Sequence, residues 1–351
     1  MTLDKAKKIR WVKNIVNYSL SLGLSAVFLY IAFYNEDFNR ILTILSNASV
    51  FWIVILVITM IISHYIRAVR WKVILHSVKP DVSIWNLFGA LMVGYGVSCV
   101  IPRVGEVSRA VLIGKWEKLS RSSMFGTVIL ERVIDVIFLG LTVIVSVLIW
   151  SEDLYVSFPW LKTALYLTVF LMAFVVLFIY LLVKFRDKFY GLIIKILGRI
   201  SGNMAHKAAY VFDMLTQGFG SLRGLKNYVL TIILSIVIMM IYALNAYVGF
   251  YILGMQNIRH VTYAMAWVLM SISAIGVVIP TPGAIGSYEA LSKAALVLLF
   301  GFGESISLAY AIITHLVSYF LFIFSGLLSF FLLNRYHDNL IKVVETKLEE
   351  L

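Results

Sequence analysis

Long uncharged apolar runs recur along this sequence, and they constrain its fold more than any other feature. A helix of about 20 apolar residues spans the hydrocarbon core of a bilayer. Runs of this length occupy residues 15–34, 50–68, 124–150, 160–183, 227–253 and 305–333. Charged residues make up only 14% of the 351 positions, against about 25% in soluble domains. The sequence predicts an all-α polytopic membrane protein: one membrane domain over 1–351, with no room for a soluble catalytic domain.

Two further apolar segments, 87–118 and 263–300, are interrupted by helix-breaking residues. These residues are Pro102, Gly105, Pro280, Pro282 and Gly283. Each half-segment is short for a full span, and non-helical backbone at membrane depth needs protein or water around its freed polar groups. The interruptions therefore predict two broken, re-entrant hairpins beside about six full spans, although eight full spans satisfy the same topology.

The net charge of +12 is distributed as a topology signal. Basic residues concentrate before the first run, after the second, after the first break, after the fourth run and in the C-terminal tail. Cytoplasmic loops of membrane proteins are enriched in Lys and Arg, so both termini are predicted to be cytoplasmic in a multi-pass protein of the bacterial inner membrane. This pattern argues against a nucleic-acid partner and favours anionic lipid headgroups.

Three local features complete this organisation. The basic start, Met1–Lys13, leads into a run too long for a signal peptide and predicts a retained signal-anchor helix. Cys99 is the single cysteine, so no intramolecular disulfide is expected. Residues 185–226 place apolar and basic side chains on opposite helical faces, which predicts a cytoplasmic amphipathic insert on the leaflet or a structural elbow.

The two broken segments belong to a weak internal repeat. The segment from Val100 to Gly105 and the segment from Val278 to Gly283 both read Val-Ile-Pro-x-x-Gly. The separation of the two motifs along the sequence is close to the separation of the second run from the fifth and of the third run from the sixth. Each half, 14–150 and 160–335, thus reads as span, span, broken hairpin, span. Because three spans is an odd number, the second half must be inverted relative to the first, as in many secondary transporters.

Ionisable residues inside apolar segments mark candidate sites, since they are costly in a membrane. Arg103, Glu106 and Arg109 follow the first break at helical spacing, and Pro102 suits the first turn of a helix there. An anionic phosphate would suit the two arginines and the free N–H groups of that turn. The alternative is that Glu106 pairs with both arginines and holds the hairpin together.

A second group of ionisable residues lies in the third run and the second hairpin. Glu131 and Asp135 share a helical face, with Arg132 beside it, and are candidates to neutralise Arg103 or Arg109, to bind a proton or cation, or to form an internal salt-bridge network. Glu289 is a candidate for the cavity, with a local pair to Lys293 as the alternative. Residues considered for proton coupling are Glu131, Asp135 and His315, although His315 also suits a neutral packed histidine.

The remaining charged residues have simpler interpretations at this stage. His64, Arg67 and Arg70 end the second run and are predicted to snorkel to the headgroups, with Trp71 in the aromatic belt. The sequence has no nucleotide-binding loop and no set of residues with metal-ligand spacing. No cofactor and no metal are therefore expected.

Four motifs give the chain a resemblance to a known family. They are Arg67-x-x-Arg70-Trp71, Ile101-Pro102-Arg103-x-Gly105-Glu106-x-x-Arg109, Glu131-Arg132-x-x-Asp135 and Pro280-Thr281-Pro282-Gly283-x-x-Gly286-x-x-Glu289. Together they resemble the lysylphosphatidylglycerol-synthase transmembrane-region family, also called flippase-like membrane proteins, over about residues 10 to 335. In some members a cytoplasmic domain aminoacylates phosphatidylglycerol and the membrane region flips the product. Other relatives are linked to polyprenyl-phosphate or glycolipid pathways.

The resemblance implies a lipid flippase that moves a phospholipid or lipid-linked headgroup through a polar cavity between the two halves. The implied headgroup residues are Arg103, Glu106, Arg109, Glu131, Arg132, Asp135 and Glu289. Expected partners are membrane lipids, either anionic or aminoacylated phospholipids or polyprenyl-linked lipids, with a homo-oligomer also considered. The alternatives are a membrane-embedded transferase using Glu106 or Asp135 as a base, and a non-transporting assembly partner of an envelope synthase. On balance, a non-enzymatic role is expected.

Overall fold

The computed structural model describes residues 19–101, 104–150 and 202–336, together with scattered positions between 163 and 199. Throughout these residues the secondary structure is helical, and none of them is in a strand. The helices are α1 (Ser19–Phe33), α2 (Phe38–Ser46), α3 (Val50–Leu75), α4 (Ile84–Val100), α5 (Val104–Trp116), α6 (Arg121–Ile149), α7 (Gly202–Ser221), α8 (Leu225–Ile252), α9 (Tyr263–Val278), α10 (Ser287–Leu298) and α11 (Glu304–Tyr336). The expected all-α class is confirmed for the described part of the chain.

Four of the described helices are long and apolar enough to cross a membrane. They are α3, residues Ser123–Ile149 of α6, α8 and residues Glu304–Leu333 of α11. These four helices coincide with four of the six runs predicted to span. The run at 15–34 corresponds to the shorter apolar helix α1, and most of the run at 160–183 lies outside the described residues.

The outward faces of the long helices are apolar. Phe51 on α3, Leu148 on α6, Ile232 on α8 and Phe320 on α11 are each more than half exposed. Large exposed apolar side chains are a liability in water, because contiguous apolar patches drive association. Such faces are suited to lipid, so the chain is an integral membrane protein whose polar side chains must lie between its helices.

Both segments with helix-breaking residues form two helices separated by a break. Helix α4 ends at Val100 and α5 begins at Val104; Pro102 lies outside the described residues. Gly105 was predicted to help break the helix, and it lies inside α5 instead. Its role there is close packing, since a Cβ at Gly105 would overlap the carbonyl oxygen of Gly94 on α4. The two helices of this first hairpin therefore pack backbone to backbone.

The second break is longer than the first and contains two glycines, Gly283 and Gly286. Helix α9 ends at Val278, and α10 begins at Ser287, after a short 3-10 turn at Pro282–Ala284. Gly283 and Gly286 have φ angles of 55° and 87°, which favour glycine because a Cβ is strained in that region. Pro280, Pro282 and Gly283 thus lie in the break itself, as the sequence predicts.

The long helices connect the two hairpins to the rest of the bundle. Helix α3 packs against α8, and α11 packs against both α4 and α10. Helix α6 packs against α5, α7 and α9. Each hairpin is therefore held between long helices from both halves of the chain.

Within the predicted insert at 185–226, the structure describes α7 and the residues after it, while most of 185–201 lies outside the described residues. Helix α7 packs on α6 where Gly218 meets Gly126. A Cβ on Gly218 would overlap the backbone of Gly126, which cannot rotate away as a side chain can.

Gly218→Ala is therefore expected to separate α7 from α6 and to destabilise the protein by about 1–3 kcal/mol through overpacking. The control is Gly23→Ala in α1, where a Cβ meets nothing within 4 Å. Thermal unfolding in detergent should show a lower Tm for Gly218→Ala and an unchanged or higher Tm for Gly23→Ala. Equal Tm values for the two variants would contradict this packing.

Candidate functional site

A network of buried ion pairs joins α3, α5 and α6. Arg67 Nε lies 2.7 Å from Glu131 Oε1, and its Nη2 contacts Asp135. Arg70 Nη2 lies 3.2 Å from Glu131 Oε1 and 2.5 Å from Asp135 Oδ1. Arg109 Nη1 completes the group at 2.6 Å from Glu131 Oε2. Three arginines thus surround one glutamate.

Helical spacing explains how these side chains meet. Glu131 and Asp135 are four residues apart on α6, and Arg67 and Arg70 are three apart on α3, so each pair lies on one face of its helix. The spacing predicted the shared face of the carboxylates correctly. Of the partners considered for Glu131, Arg109 is the one that the structure places beside it. Arg103 lies outside the described residues.

The network is almost completely removed from the surface. The side chains of Glu131 and Arg70 are 0% exposed, and that of Arg109 is 2% exposed. Burying a charge costs several kcal/mol unless it is paired and hydrogen-bonded. Each of these groups therefore depends on its partners to remain inside the bundle.

Two predictions about the end of α3 are wrong. His64, Arg67 and Arg70 are predicted from the sequence to snorkel to the headgroups, yet all three are buried. Trp71 was expected in an interfacial belt, yet it is fully buried, donates its Nε1–H to Thr127 and lies 5.0 Å from the Arg109 guanidinium. Snorkelling applies to side chains without internal partners, whereas carboxylates on α6 were available to these arginines.

At the edge of the network the ion pairs become accessible. Arg132 Nε lies 2.6 Å from Glu106 Oε1, with the two side chains 37% and 42% exposed. Arg132 also lies 3.4 Å from Asp135. Glu106 therefore pairs with Arg132 on α6. The sequence-based alternative paired it with Arg103 and Arg109; among the described residues it forms no ion pair with Arg109, and Arg103 lies outside them.

Arg109 keeps two hydrogen-bond donors without a partner among the described residues. Its Nε and Nη2 are buried and donate to no acceptor among the described residues. The cleft beside Arg109 has about 190 Å³ of empty space, including its mouth. It is lined by Leu91, Gly94, Tyr95, Ser98, Gly105, Glu106, Arg109 and Arg132.

The formal charges around this cleft do not cancel. The described network contains four arginines, Arg67, Arg70, Arg109 and Arg132, and three carboxylates, Glu106, Glu131 and Asp135. One positive charge is in excess. Free donors on Arg109 combined with excess positive charge suit an anion with several acceptor oxygens.

The second hairpin has a close contact between a carboxylate and a histidine at its break. Glu289 Oε1 lies 2.5 Å from His315 Nδ1 on α11, and Glu289 Oε2 accepts from the Gly286 N–H at 2.7 Å. The predicted local pair between Glu289 and Lys293 is wrong. Lys293 Nζ instead lies 2.6 Å from Glu36 and 3.3 Å from Glu304.

The two breaks approach each other at Tyr319 on α11. Its hydroxyl donates to the Cys99 carbonyl at 3.3 Å, one residue before the end of α4. A Cβ on Gly283 would overlap the same hydroxyl. The tips of both hairpins therefore contact one side chain.

Sequence reasoning missed Arg67, Arg70 and Tyr95 as members of the site. Tyr95 lines the cleft, and its ring lies 5.9 Å from the Arg67 guanidinium. The signal was present in the spacing, since two arginines one turn apart on α3 match two carboxylates one turn apart on α6. Among the described residues, no group of three His, Cys, Asp or Glu side chains is placed to hold a metal ion.

These features define an integral membrane protein with an ionic site enclosed by its helices. The family model described as the lysylphosphatidylglycerol synthase TM region matches residues 18–326, so the chain belongs to that family. The resemblance inferred from the motifs is thereby confirmed.

Two relatives are archaeal proteins. The chain is 24% identical over 347 residues to a UPF0104 membrane protein of Methanocaldococcus jannaschii, covering 94% of this chain and 98% of the relative. It is 33% identical over 89 residues to a UPF0104 membrane protein of Methanothermobacter thermautotrophicus, covering 24% of this chain and 26% of the relative. No solved structure matches the chain.

Proposed function

We propose that this protein is a lipid flippase, which moves an anionic phospholipid or lipid-linked headgroup across the membrane through a polar cavity between its two halves. The single observation that carries this proposal is Arg109. Its buried guanidinium has two donor nitrogens without a partner among the described residues and lines a cleft whose described ion-pair network carries an excess positive charge. Such donors are costly in an apolar protein interior unless a ligand satisfies them.

A phosphate group provides what these donors lack. Its oxygens accept several hydrogen bonds, and the planar guanidinium donates two of them in parallel. Tyr95 and Ser98 in the cleft wall add hydroxyl groups within the same space. The acyl chains would remain in lipid, since the outer faces of the helices are apolar. Arg103 keeps its assignment to the headgroup as a prediction from the sequence.

An inverted repeat supports alternating access. Helices α4 and α9 end at Val100 and Val278, which are the first residues of the two repeated motifs. In this repeat α3, α4, α5 and α6 correspond to α8, α9, α10 and α11. The packing of α4 on α11 then corresponds to the packing of α9 on α6. Helices α3 and α8 are antiparallel, since Ser49 at one end bonds to Ile252, and Arg70 towards the other end bonds to Ser235.

Movement of the hairpins would open the site. The part of the cleft that a water molecule could occupy is only about 10 Å³, far below ligand pockets, which usually hold about 300–1,000 Å³. A headgroup would therefore enter when one half rocks against the other and the contact at Tyr319 separates. A cytoplasmic location of both termini, a bacterial inner membrane and a homo-oligomer stay predictions.

A membrane-embedded transferase is the second candidate, because the family is named for a synthase. In that case Glu106 would be the general base, since it is the most accessible carboxylate of the network. A transferase consumes its lipid, whereas a flippase returns it unchanged in the other leaflet.

Reconstitution separates these candidates. The full chain in liposomes with fluorescent phosphatidylglycerol is treated with dithionite, which bleaches only the outer leaflet. A flippase brings the inner lipid within reach, so bleaching goes from about half to nearly complete, and chromatography recovers the lipid unchanged. Bleaching that stops at half, as in protein-free vesicles, would contradict the proposal. A new lipid product when a lipid-linked donor is added would favour the transferase.

A further inference from the structure

The contact between Glu289 and His315 at the second break has a counterpart at the first. Glu289 is the third residue of α10, and Glu106 is the third residue of α5. Glu289 pairs with His315 on α11, and Glu106 pairs with Arg132 on α6. Both pairs join residues 26 positions apart. Each hairpin is therefore tied to the following long helix by a glutamate at the same position.

The two pairs differ in the basic residue that faces the glutamate. Arginine stays charged at all accessible pH values, whereas histidine gains and loses its charge near neutral pH. The Glu106–Arg132 pair therefore needs no added proton, while the Glu289–His315 pair requires one to become an ion pair. The positions in the second half that correspond to Glu131 and Arg109 are Thr314 and Ser292, which carry no charge.

The hydrogen bonds around His315 determine how many protons the pair holds. Nε2 lies 3.0 Å from the Gly283 carbonyl oxygen, which can only accept, so Nε2 carries a hydrogen. Nδ1 lies 2.5 Å from a Glu289 oxygen. This contact needs a second hydrogen, either on Nδ1 or on the carboxyl. Without it, a nitrogen lone pair would face a carboxylate oxygen.

The same contacts hold the break in its observed shape. His315 binds the Gly283 carbonyl, and Glu289 binds the Gly286 N–H, so the pair fixes both ends of a glycine-containing turn. Gly283 also contacts Tyr319, which reaches the end of α4. Loss of the proton would place the Nδ1 lone pair against the Glu289 carboxylate and break the bond between Glu289 and α11. The Nε2–H bond to Gly283 would then be the one remaining tie of the turn to His315, and the contact between the two hairpins would loosen.

The neighbouring ionisable groups leave Glu289 as the only carboxylate that contacts His315 among the described residues. The rings of Tyr288 and Tyr319 lie 4.8 Å and 5.2 Å from the His315 ring. Lys293, one turn further along α10, forms ion pairs with Glu36 and Glu304. Cys99 on α4 meets Tyr319, and His64 on α3 and Tyr95 on α4 meet Phe322, further along α11. The α1 side chains at the break, Ser21 and Ser25, do not titrate.

We propose that the Glu289–His315 pair is a proton-binding site that holds the second hairpin closed on α11 and releases it on deprotonation, so that a proton gradient can drive the transport cycle. The coupling to transport rests on the proposed flippase function, whereas the proton-dependent closure does not. The sequence also suggested Glu131 and Asp135 for this role. Both contact arginines in the structure, and those contacts require the charged carboxylates.

Hydrogen–deuterium exchange of the full chain tests the closure without a lipid assay. Peptides covering 279–298 are followed at about pD 6 and about pD 8, with correction for intrinsic exchange. In the wild type, the Gly286 region should lose protection by about tenfold or more at the higher pD, because local opening sets exchange. Equal protection at both values would overturn the proposal.

Three variants isolate the histidine. His315→Arg gives the second hairpin the cation type of the first, so its protection should not depend on pD. Glu289→Gln removes the carboxylate and should leave the turn weakly protected at both values. His260→Arg, at an exposed loop histidine, should behave as the wild type. Persistence of the full pD dependence in His315→Arg, with an unchanged Tm, would also overturn the proposal.

The coupling of the proton site to lipid transport is measured in a separate experiment. With a pH gradient across proteoliposomes, lipid movement should respond to the gradient in the wild type and in His260→Arg, and should not respond in His315→Arg. A pD-dependent turn without any lipid movement would support the proton site and contradict the proposed flippase. Lipid movement that responds equally to the gradient in His315→Arg would overturn the coupling.

Discussion

Glu131→Ala is expected to destabilise the protein by about 3–5 kcal/mol, the usual cost of removing one partner of a buried ion pair. Glu131 is fully buried and pairs with Arg67, Arg70 and Arg109 at once. Removing it leaves three guanidinium groups in the interior, and among the described residues Asp135 contacts two of them, Arg67 and Arg70. The Tm in detergent should fall by about 6 °C or more, and little of the protein should elute as a monodisperse peak in size-exclusion chromatography.

Glu106→Ala provides the matched control. Its carboxylate belongs to the same network but is 42% exposed, and exposed ion pairs contribute about 0–1 kcal/mol. Its Tm should therefore lie within a few degrees of the wild type. If the two alanine variants unfold at the same temperature, the burial of Glu131 does not have the energetic role assigned to it here.

Arg109→Lys is expected to reduce lipid movement by about tenfold or more, which corresponds to about 1.4 kcal/mol, while the protein remains folded. Lysine keeps a positive charge for Glu131, so the most costly effect of truncation is avoided. It lacks the planar group that presents two further donors to the cleft. The substitution therefore separates the role of Arg109 in the network from its proposed role in headgroup binding.

Arg40→Lys on α2 is the control for this variant, because Arg40 is exposed and away from the ion-pair network. Both proteins are reconstituted at equal density, and the initial rate of dithionite bleaching is compared after Tm values are matched. Wild-type rates in Arg109→Lys, at a Tm equal to that of Arg40→Lys, would show that the free donors of Arg109 are not needed for transport.

The helices and breaks followed from local sequence, whereas the partners in the ionic site did not. The run at 50–68 and the helix breakers near Pro280 fix structure through hydropathy and backbone geometry, which act over short distances. Spacing placed Glu131 and Asp135 on one face. It does not say which helix packs against that face, so the arginines of α3 were assigned to the membrane surface.

The second hairpin shows the same limit in a different form. Glu289 and Lys293 have the spacing of a helical ion pair, and that local pair was a reasonable expectation. In the structure Lys293 turns to Glu36 and Glu304, and Glu289 turns to His315. Long-range contacts determine these choices, because packing brings α11 and the end of α1 against α10. Gly105 was likewise assigned to a break on composition, although close approach to α4 explains it.

Native mass spectrometry of the protein with its bound lipid tests most directly whether Arg109 holds an anionic headgroup. The wild type, Arg109→Lys and Arg40→Lys are released from micelles after incubation with equimolar phosphatidylglycerol and phosphatidylethanolamine. We expect one lipid to survive at higher collision energy on the wild type and on Arg40→Lys, with phosphatidylglycerol preferred, and to be lost from Arg109→Lys. Retention of the same lipids with the same preference by all three proteins would contradict the assignment of the cleft as a headgroup site.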